Sequence, residues 1–307
     1  MFCITEDQTR NALSIRSAAE IVMATYRGIA EGTVTASTPS LLQITSEPFR
    51  LGAKGAVLNH LGIAGVRLIS RAAPRLMLWS LQSGEPLALI DESHAYRFRT
   101  GVSGAVCARY LLPTGSEPNV AIIGAGPIAF QLALAVNELV EPASMRVVAS
   151  SVDSAERFAR EAQEAGVNVV PQNSVADAVR DADLVITITS ANEVLVRIED
   201  LAPGAVVLSM GGGHEVDHKV WAACSQRFVD DLGYALHQGD AAAWIKAGLF
   251  DELSFAASLT GTVAALAADQ VTAHLNDTGL SMAIVQGTTA LDVALGHAIY
   301  LQVEGQQ

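Results

Sequence analysis

A glycine-rich turn between two apolar runs is the stretch whose residue types and spacing point most directly to chemistry. Residues 120–135 read VAIIGAGPIAFQLALA, and residues 124–129 fit the pattern G-x-G-x-x-G/A. In that pattern Gly124 makes the tight turn, Gly126 lets the backbone approach a pyrophosphate, and the small Ala129 allows close packing of helix on strand. The turn therefore predicts a dinucleotide-binding site for NAD or NADP.

The residues around this turn indicate how the nucleotide would be held. A helix that begins near Pro127, with Ile128 in its first turn, would direct its free N–H groups and its positive dipole end at the phosphates. The next predicted strand ends in Ala149, Ser150 and Ser151, where a site that prefers NAD would place an Asp or Glu. Because two hydroxyls could accept a 2′-phosphate, the sequence favours NADP slightly. The alternative, that the two serines only solvate a turn, stays open.

Alternating elements around the turn predict the fold class. Short apolar strands alternate with helices beyond an exposed linker at residues 114–118, which favours an α/β Rossmann domain with a doubly wound parallel sheet. Residues 40–90 instead carry short β-favouring pieces separated by turn signals, as in an antiparallel sheet. The predicted domains are an α+β domain at 1–112 and a nucleotide-binding domain at 113–281, followed by an apolar segment at 282–307 that would pack against the first domain or a second subunit.

Composition excludes several classes of function. The 307-residue chain has a formal net charge of -13, which repels nucleic acid and anionic lipid surfaces. It contains no apolar run long enough to suggest a membrane span and no basic, apolar leader typical of secretion. Its cysteines, Cys3, Cys107 and Cys224, are odd in number and lack metal-ligand spacing. We therefore expect a cytoplasmic protein without a metal site.

Seven segments, in their order and spacing, resemble the ornithine cyclodeaminase and mu-crystallin family, which includes ketimine and iminosuccinate reductases and alanine-type dehydrogenases. The segments are SGEPLALID at 83–91, RTGVSGA at 99–105, VAIIGAGPIAFQ at 120–131, DLVITITSANEVL at 183–195, PGAVVLSMGGGHEVD at 203–217, RFVDD at 227–231 and GTTALDVALGHAIY at 287–300. The resemblance implies that 282–307 returns to complete 1–112 as a substrate-binding and dimerisation domain, through which the protein forms a homodimer. It also implies that nicotinamide and substrate meet in a cleft between the domains.

The resemblance also implies roles for individual residues. Arg99 would contact both the cofactor phosphates and the substrate carboxylate, and Asp230 would be the general acid/base, with its neighbour Asp231 as the alternative. An apolar setting would raise the pKa of such a carboxyl group. The remaining cofactor contacts implied are Thr100, Thr189, Ser209, Met210 and Gly211.

Two departures from the family bear on the substrate. Arg67 stands where the cyclodeaminases have a substrate-binding lysine, and Lys54 stands where many members have a methionine, in a stretch more like that of the iminosuccinate reductases. Both are candidate catalytic residues. Together with Arg50 and Arg99 they predict a strongly cationic substrate pocket and a small substrate with extra negative charge. Asp292 is expected to fix a helix end.

The sequence therefore favours an NAD(P)H-dependent imine reductase or amino-acid dehydrogenase that acts on a small imino or amino acid. One alternative is a cyclodeaminase-type lyase that uses NAD catalytically. Another is an opine-type dehydrogenase of N-substituted amino acids. A third is a non-catalytic NADP-dependent binding protein of the crystallin type.

Overall fold

The protein divides into two compact units. Unit 1 comprises Met1–Thr100 and Gly287–Gln307, and unit 2 comprises Gly101–Gln286. The structure, a computed structural model, describes residues 1–37, 42–46, 49–70, 72–273 and 279–305.

Secondary structure follows the chain in three stretches. The first stretch forms β1 (Phe2–Ile4), α1 (Glu6–Arg10), α2 (Ile15–Ala30), β2 (Val34–Ala36), β3 (Leu42–Ser46), β4 (Phe49–Leu58), β5 (Ile63–Ser70), β6 (Arg75–Ser80), β7 (Pro86–Asp91) and α3 (Glu92–Leu111). The second forms β8 (Asn119–Ile123), α4 (Pro127–Leu139), β9 (Ser144–Val148), α5 (Val152–Glu164), β10 (Val170–Pro171), α6 (Val175–Val179), β11 (Leu184–Thr187), β12 (Val206–Ser209), α7 (His218–Ala223), β13 (Gln226–Val229), α8 (Leu232–Ala235), α9 (Gly239–Lys246), α10 (Glu252–Ala257), β14 (Gly261–Thr262), α11 (Val263–Ala267) and β15 (Ser281–Ile284). The chain then forms α12 (Thr289–Glu304).

Unit 1 is a sheet with helices packed on one face. Its strands run in the order β1-β7-β6-β5-β4-β2, with β3 also paired to β4, and the β2 to β7 pairings are antiparallel. Burial alternates along β5 and β6, as expected where one sheet face meets a core. The buried face carries Leu58, Leu76, Leu78 and Ile90, which join Val293 of α12 in one apolar cluster. This face therefore fixes α12 on the strands that carry Lys54 and Arg67.

The opposite face of this sheet is apolar but only half-buried. Cross-strand pairing places Val66 of β5, Met77 of β6 and Leu89 of β7 in one row on that face. All three are partly exposed. Ile44 and Phe49 at the β3–β4 edge are 55% and 56% exposed. An apolar surface of this kind is typical of protein–protein contact.

Unit 2 is built on a parallel sheet. Its strands run in the order β10-β9-β8-β11-β12-β15-β13-β14, and every pairing is parallel. The chain proceeds from β8 to β9 and β10 on one side and returns to β11 on the other. The carboxyl ends of β8 and β11 thus flank a topological switch point, where open α/β sheets bind ligands.

The predicted α/β Rossmann fold with a second, mixed α and β part is confirmed. The boundaries differ from those predicted, because α3 continues without a break through residue 111 while the two units divide at 100/101. At the other end, β15 pairs with β12 and β13, so residues 281–284 belong to the parallel sheet and unit 1 resumes at Gly287. No helix among the described residues has the length and apolar character needed to cross a membrane.

Candidate active site

Five charged side chains of unit 1 form what we term the charged cluster: Lys54, Arg67, Glu92, Arg99 and Asp292. Lys54 on β4 is the cross-strand partner of Arg67 on β5, so both side chains leave the same face of the sheet. Glu92 and Arg99 lie seven residues apart in α3, a spacing that places them on one side of a helix. Asp292 lies in the first turn of α12.

Each arginine of the charged cluster is bound by a carboxylate. Arg67 Nε donates to Glu92 Oε2 at 2.6 Å, and Arg99 Nε donates to Asp292 Oδ1 at 2.7 Å. The four side chains are at most 6% exposed. Ion pairs so deeply buried lose their hydration, and removing one partner would leave an uncompensated charge.

The ring of Tyr96 covers both guanidinium groups. Its centroid is 3.9 Å from Arg67 Cζ and 5.1 Å from Arg99 Cζ, within the range of a cation–π contact. Among the described residues, Nε is the only nitrogen of Arg67 with a hydrogen-bond partner. The guanidinium is therefore held by its Nε edge and its face, which leaves the two Nη atoms as the donors that can clamp a ligand carboxylate.

Burial and neighbouring charges shift the pKa values of this cluster in opposite directions. The pKa of Lys54 is lowered to about 8 because burial, Arg67 and Arg99 together outweigh the attraction of the two carboxylates. Burial, reinforced by Asp292, raises the pKa of Glu92 to about 7 against the opposing effect of Arg67. Burial would also raise the pKa of Asp292, but the surrounding cations outweigh it and the pKa is lowered. Lys54 and Glu92 are thus the members that exchange protons near neutral pH.

The expected strongly cationic pocket is not what the structure shows. Arg67 and Arg99 each carry a buried counter-charge, so neither arginine offers its full positive charge to a ligand. Arg50, on the same sheet face as Lys54 but nearer the start of β4, is exposed. Asp292 lies in the first turn of α12, but the N-cap is Thr288, and the Asp292 side chain binds Arg99 instead of fixing the helix end.

In unit 2 the glycine turn connects β8 and α4 as predicted. Gly124 adopts a φ of 127°, and a Cβ there would lie 2.4 Å from the carbonyl oxygen of Ile188 just beyond β11. Gly126 is the N-cap of α4 and offers no side chain, while Pro127 is the first helical residue. A Cβ at Gly126 would meet no atom within 4 Å. Open space lies in front of the helix N-terminus, as a bound phosphate requires.

The two serines after β9 differ in their surroundings. Ser151 is the N-cap of α5, and its hydroxyl accepts from the backbone N–H of Ser154 at 3.3 Å. Ser150 is exposed. Ala149, which precedes them, is partly buried and supplies no carboxylate. The hydroxyl of Ser151 therefore already has a structural role in the helix cap.

Two buried carboxylates position the loops at the ends of β11 and β12. The backbone N–H of Thr189 donates to Glu215 Oε1 at 2.8 Å, and its hydroxyl donates to the same oxygen. Ser209 donates to Asp240 Oδ2 at 2.6 Å, while Asp240 Oδ1 accepts the backbone N–H of Glu215 at 2.7 Å. A Cβ at Gly211 would lie 1.8 Å from Glu215 Oε2, so glycine is required there for the carboxylate to fit.

The predicted acid/base residue and its neighbour are placed very differently. Asp230, only 3% exposed, lies immediately after β13, and its Oδ1 accepts the backbone N–H groups of Asp231 at 2.8 Å and Gln286 at 3.0 Å. The carboxylate of Asp231 instead caps α8 by accepting from Tyr234 N at 3.1 Å. Met210, the next residue on from β12, is buried and donates its N–H to Thr187.

Burial raises the pKa of Asp240 and Glu215, the two carboxylates that position the loops after β11 and β12. The pKa of Asp240 is raised to about 6, because burial outweighs the hydrogen bonds from Ser209 and the backbone. Burial also raises the pKa of Glu215, against the effect of the Thr189 hydrogen bonds. Throughout the described residues, no group of three or more His, Cys, Asp or Glu side chains could hold a metal ion.

The chain is similar to known proteins over nearly its whole length. Residues 6–278 match the sequence profile of the ornithine cyclodeaminase/mu-crystallin family. The chain belongs to this family. An alanine dehydrogenase of Archaeoglobus fulgidus is 23% identical over 316 residues, covering 97% of this chain and 93% of that protein.

Solved structures share the fold of this family member. An archaeal alanine dehydrogenase dimer with bound NAD superimposes with a TM-score of 0.90 at 21% identity, covering all of this chain and 97% of that one. The Thermococcus litoralis Δ1-pyrroline-2-carboxylate reductase, in complex with NADH and L-proline, gives a TM-score of 0.89 at 19% identity, covering 100% and 98%.

Sequence reasoning missed several polar residues that the structure brings to these clusters. Glu92 and Tyr96 precede Arg99 by seven and three residues, which are helical spacings. The sequence shows this relation if the helix is taken to begin at Glu92. Glu215 and Asp240 carried no such signal, because their partners come from other elements of the sheet.

Proposed function

We propose that this family member is an NAD(P)H-dependent oxidoreductase that reduces the C=N bond of a small imino acid or oxidises the corresponding amino acid. The observation that carries the proposal is the glycine turn at the switch point of unit 2, with open space at Gly126 before the N-terminus of α4. The family match and the alanine dehydrogenase relative support the same chemistry.

The residues of unit 2 fit a dinucleotide. The backbone around Gly124, Gly126 and Ile128 would hold the pyrophosphate, since the first turn of α4 has free N–H groups and no side chain fills the space before it. Thr189 and the 209–211 loop would lie along the nucleotide. A bound nicotinamide supplies or accepts the hydride. Glu215 and Asp240 hold both loops in place through the hydrogen bonds that their carboxylates accept.

We assign substrate capture to the charged cluster of unit 1. The Nη atoms of Arg67 would receive the substrate carboxylate as a bidentate pair, with Arg99 as the second cation. This use of Arg67 differs from a proton-donating lysine, because the pKa of a guanidinium is already far above neutral and the neighbouring carboxylates raise it further despite burial. Lys54, whose pKa is lowered to about 8, is the basic group of the cluster that can release a proton.

We assign general acid/base catalysis at the imine nitrogen to Asp230, with Lys54 as the alternative proton carrier. Asp230 is buried at the carboxyl end of β13, whereas the carboxylate of Asp231 is engaged as a helix cap. A carboxyl group held by two backbone N–H donors has a fixed orientation, which general acid/base catalysis requires.

For the cofactor we propose NADP with a slight preference over NAD. The absence of a carboxylate at Ala149 to Ser151 supports it, because a carboxylate there would repel a 2′-phosphate. Ser150 and Ser151 are both exposed, and because Ser151 caps α5 we assign the 2′-phosphate contact to the Ser150 hydroxyl.

We also propose a cytoplasmic homodimer formed through the half-buried face of the unit 1 sheet. The row of Val66, Met77 and Leu89 supports such a contact, and one solved structure of similar fold is a dimer. The three cysteines are free thiols, in keeping with a reducing compartment. Light scattering of the wild type and of Val66→Glu tests the dimer, since a charge at this contact would give monomers.

The function is tested by a substrate screen. Candidate 2-oxo acids are combined with ammonia, methylamine or amino acids, and NADPH and NADH absorbance is followed. The proposal expects oxidation of at least one reduced cofactor that depends on both the oxo acid and the amine. Cofactor binding without turnover of any imine or amino acid would contradict it and favour a binding protein.

A further inference from the structure

Tyr96 is the residue beside the charged cluster to which the proposed function gives no role. It lies in α3 four residues after Glu92 and three before Arg99, spacings that bring the three side chains to one side of the helix. Its half-buried ring reaches the sheet, where its centroid is 3.9 Å from Cζ of Arg67 on β5. A contact between a helix residue and a strand residue therefore shapes the surroundings of Arg67.

Tyr96 and Glu92 hold the guanidinium of Arg67 in complementary ways. Glu92 Oε2 accepts the Nε–H at 2.6 Å, which fixes one edge of the group. A single hydrogen bond tolerates a range of tilt, so this contact alone leaves the plane of the guanidinium poorly defined. The ring of Tyr96 lies against the flat face at a distance of van der Waals contact and attracts the positive charge. Edge and face contacts together define both the position and the plane of the group.

The plane of a guanidinium matters because its recognition of a carboxylate is geometric. A bidentate pair has two parallel N–H···O bonds, so the two flat groups must lie in nearly the same plane. A guanidinium whose plane is set before the ligand arrives loses less freedom on binding. An ammonium group has no plane and gains from such a contact only the attraction to the ring. The ring therefore serves an arginine at this position better than it would serve a lysine.

We propose that Tyr96 is a positioning residue, whose ring fixes the plane of Arg67 so that the Nη edge forms a bidentate pair with the carboxylate of the ligand. The proposal rests on the proposed function for the role of Arg67 in substrate capture. Arg99 depends less on the ring, because its Cζ is 5.1 Å from the centroid and Asp292 Oδ1 holds it at two nitrogens, 2.7 Å from Nε and 2.6 Å from Nη2. Tyr96 thus acts through Arg67.

The test measures the binding of propionate, an unreactive carboxylate, by isothermal titration. Tyr96→Leu removes the ring and should weaken binding by about tenfold, about 1.4 kcal/mol. Tyr96→Phe keeps the ring and should bind propionate as the wild type does. Tyr96→trifluorophenylalanine keeps the shape of the ring, but fluorine withdraws the negative charge of its face, so binding should be weaker than for Tyr96→Phe.

A double-mutant cycle shows whether Tyr96 acts through the plane of Arg67. Arg67→Lys keeps a positive charge beside Glu92 but has no plane to be fixed. In that background Tyr96→Leu should have little further effect on the affinity for propionate. Tyr300→Leu is the control, because it removes a buried tyrosine ring of unit 1 that packs on Phe2 at 5.4 Å. It should leave the affinity unchanged.

The outcomes distinguish this proposal from the proposed function. Wild-type affinity in Tyr96→Leu, an equal loss in Tyr96→Phe, or an undiminished loss in the Arg67→Lys background would overturn the role of Tyr96. Failure of the wild type to bind propionate would overturn it too. If Tyr96→Leu does not fold, the trifluorophenylalanine variant decides, and an affinity equal to that of Tyr96→Phe would overturn the proposal. Absence of imine turnover, with propionate binding changing as expected, would instead overturn only the oxidoreductase function.

Discussion

The charged cluster of unit 1 and the loops at the strand ends of unit 2 both bury carboxylates, but they neutralise them differently. Glu92 and Asp292 are paired with guanidinium groups at 2.6 Å. Asp240 and Glu215 are held by hydroxyl and backbone N–H donors, and neither forms an ion pair within the described residues.

This difference suits two different tasks. Cations keep the pKa of Asp292 low and preserve a defined charge, as recognition of a charged substrate requires. Amide and hydroxyl donors fix the direction of a carboxylate without adding charge, as the support of a loop requires. The pKa of Asp240 accordingly stays raised, at about 6, because burial outweighs its hydrogen bonds and none of the described residues places a cation beside it.

The largest effect is expected from breaking an ion pair of the charged cluster. Asp292→Asn keeps the size of the side chain but leaves Arg99 buried without its counter-charge, and should lower the free energy of unfolding by about 3–5 kcal/mol. Chemical denaturation measures this. The matched control Asp91→Asn removes a partly exposed partner of Arg75 and should cost about 1 kcal/mol or less. Equal losses would show that the buried pair has no special electrostatic role.

Replacing Asp230 tests the proton transfer. Asp230→Asn retains the carbonyl-type oxygen that accepts the two backbone N–H groups, so NADPH affinity should be nearly unchanged while kcat falls by about 10² or more. Asp231→Asn is the control, because asparagine caps a helix as well as aspartate does. Steady-state kinetics and fluorescence titration measure both. Unchanged turnover in Asp230→Asn would transfer the role to Asp231, Lys54 or water.

The pH dependence of stability tests how a buried carboxylate behaves when hydroxyl and backbone N–H donors hold it, as they hold Asp240. The pKa of Asp240 rises from its ordinary 3.8 to about 6 in the fold, so the folded chain binds this proton more tightly than the unfolded chain. Its stabilising contribution is present below about pH 3.8 and is lost as the pH rises through 6, by about 1.4 kcal/mol per pKa unit.

Asp240→Asn should remove this loss. As the pH rises from 4 to 6.5, the unfolding free energy of the wild type should therefore fall relative to that of the variant. Ser209→Ala removes a hydrogen bond that lowers the pKa of Asp240. It should therefore move the loss of stability to higher pH. Parallel stability profiles for wild type and Asp240→Asn would contradict this account.

The smallest effect concerns the choice of cofactor. Ala149→Asp places a carboxylate after β9 and should move preference toward NADH by about tenfold, about 1.4 kcal/mol. Fluorescence titration of both nucleotides on both proteins measures it. A wild type that already prefers NADH tenfold would show that Ser150 and Ser151 do not receive a 2′-phosphate.

Much of unit 2 could be predicted because its signals are local. The turn at Gly124 and Gly126 and the helix start at Pro127 depend on residues a few positions apart, and the structure has them as predicted. The boundary at residue 281 could not be predicted in the same way. The place of β15 between β12 and β13 depends on pairing with distant strands.

The sequence by itself determined the parallel sheet and the glycine turn, because periodicity and spacing act over short distances, and the resemblance of its motifs to the family singled out Lys54, Arg67 and Arg99. Only the tertiary structure decided which carboxylates pair with the two arginines. Asp292 meets Arg99 across 193 positions of chain and Glu92 meets Arg67 across 25. Such pairings follow from the packing of α12 on the strands that carry Lys54 and Arg67 and from the start of α3 at Glu92, which no short-range pattern specifies.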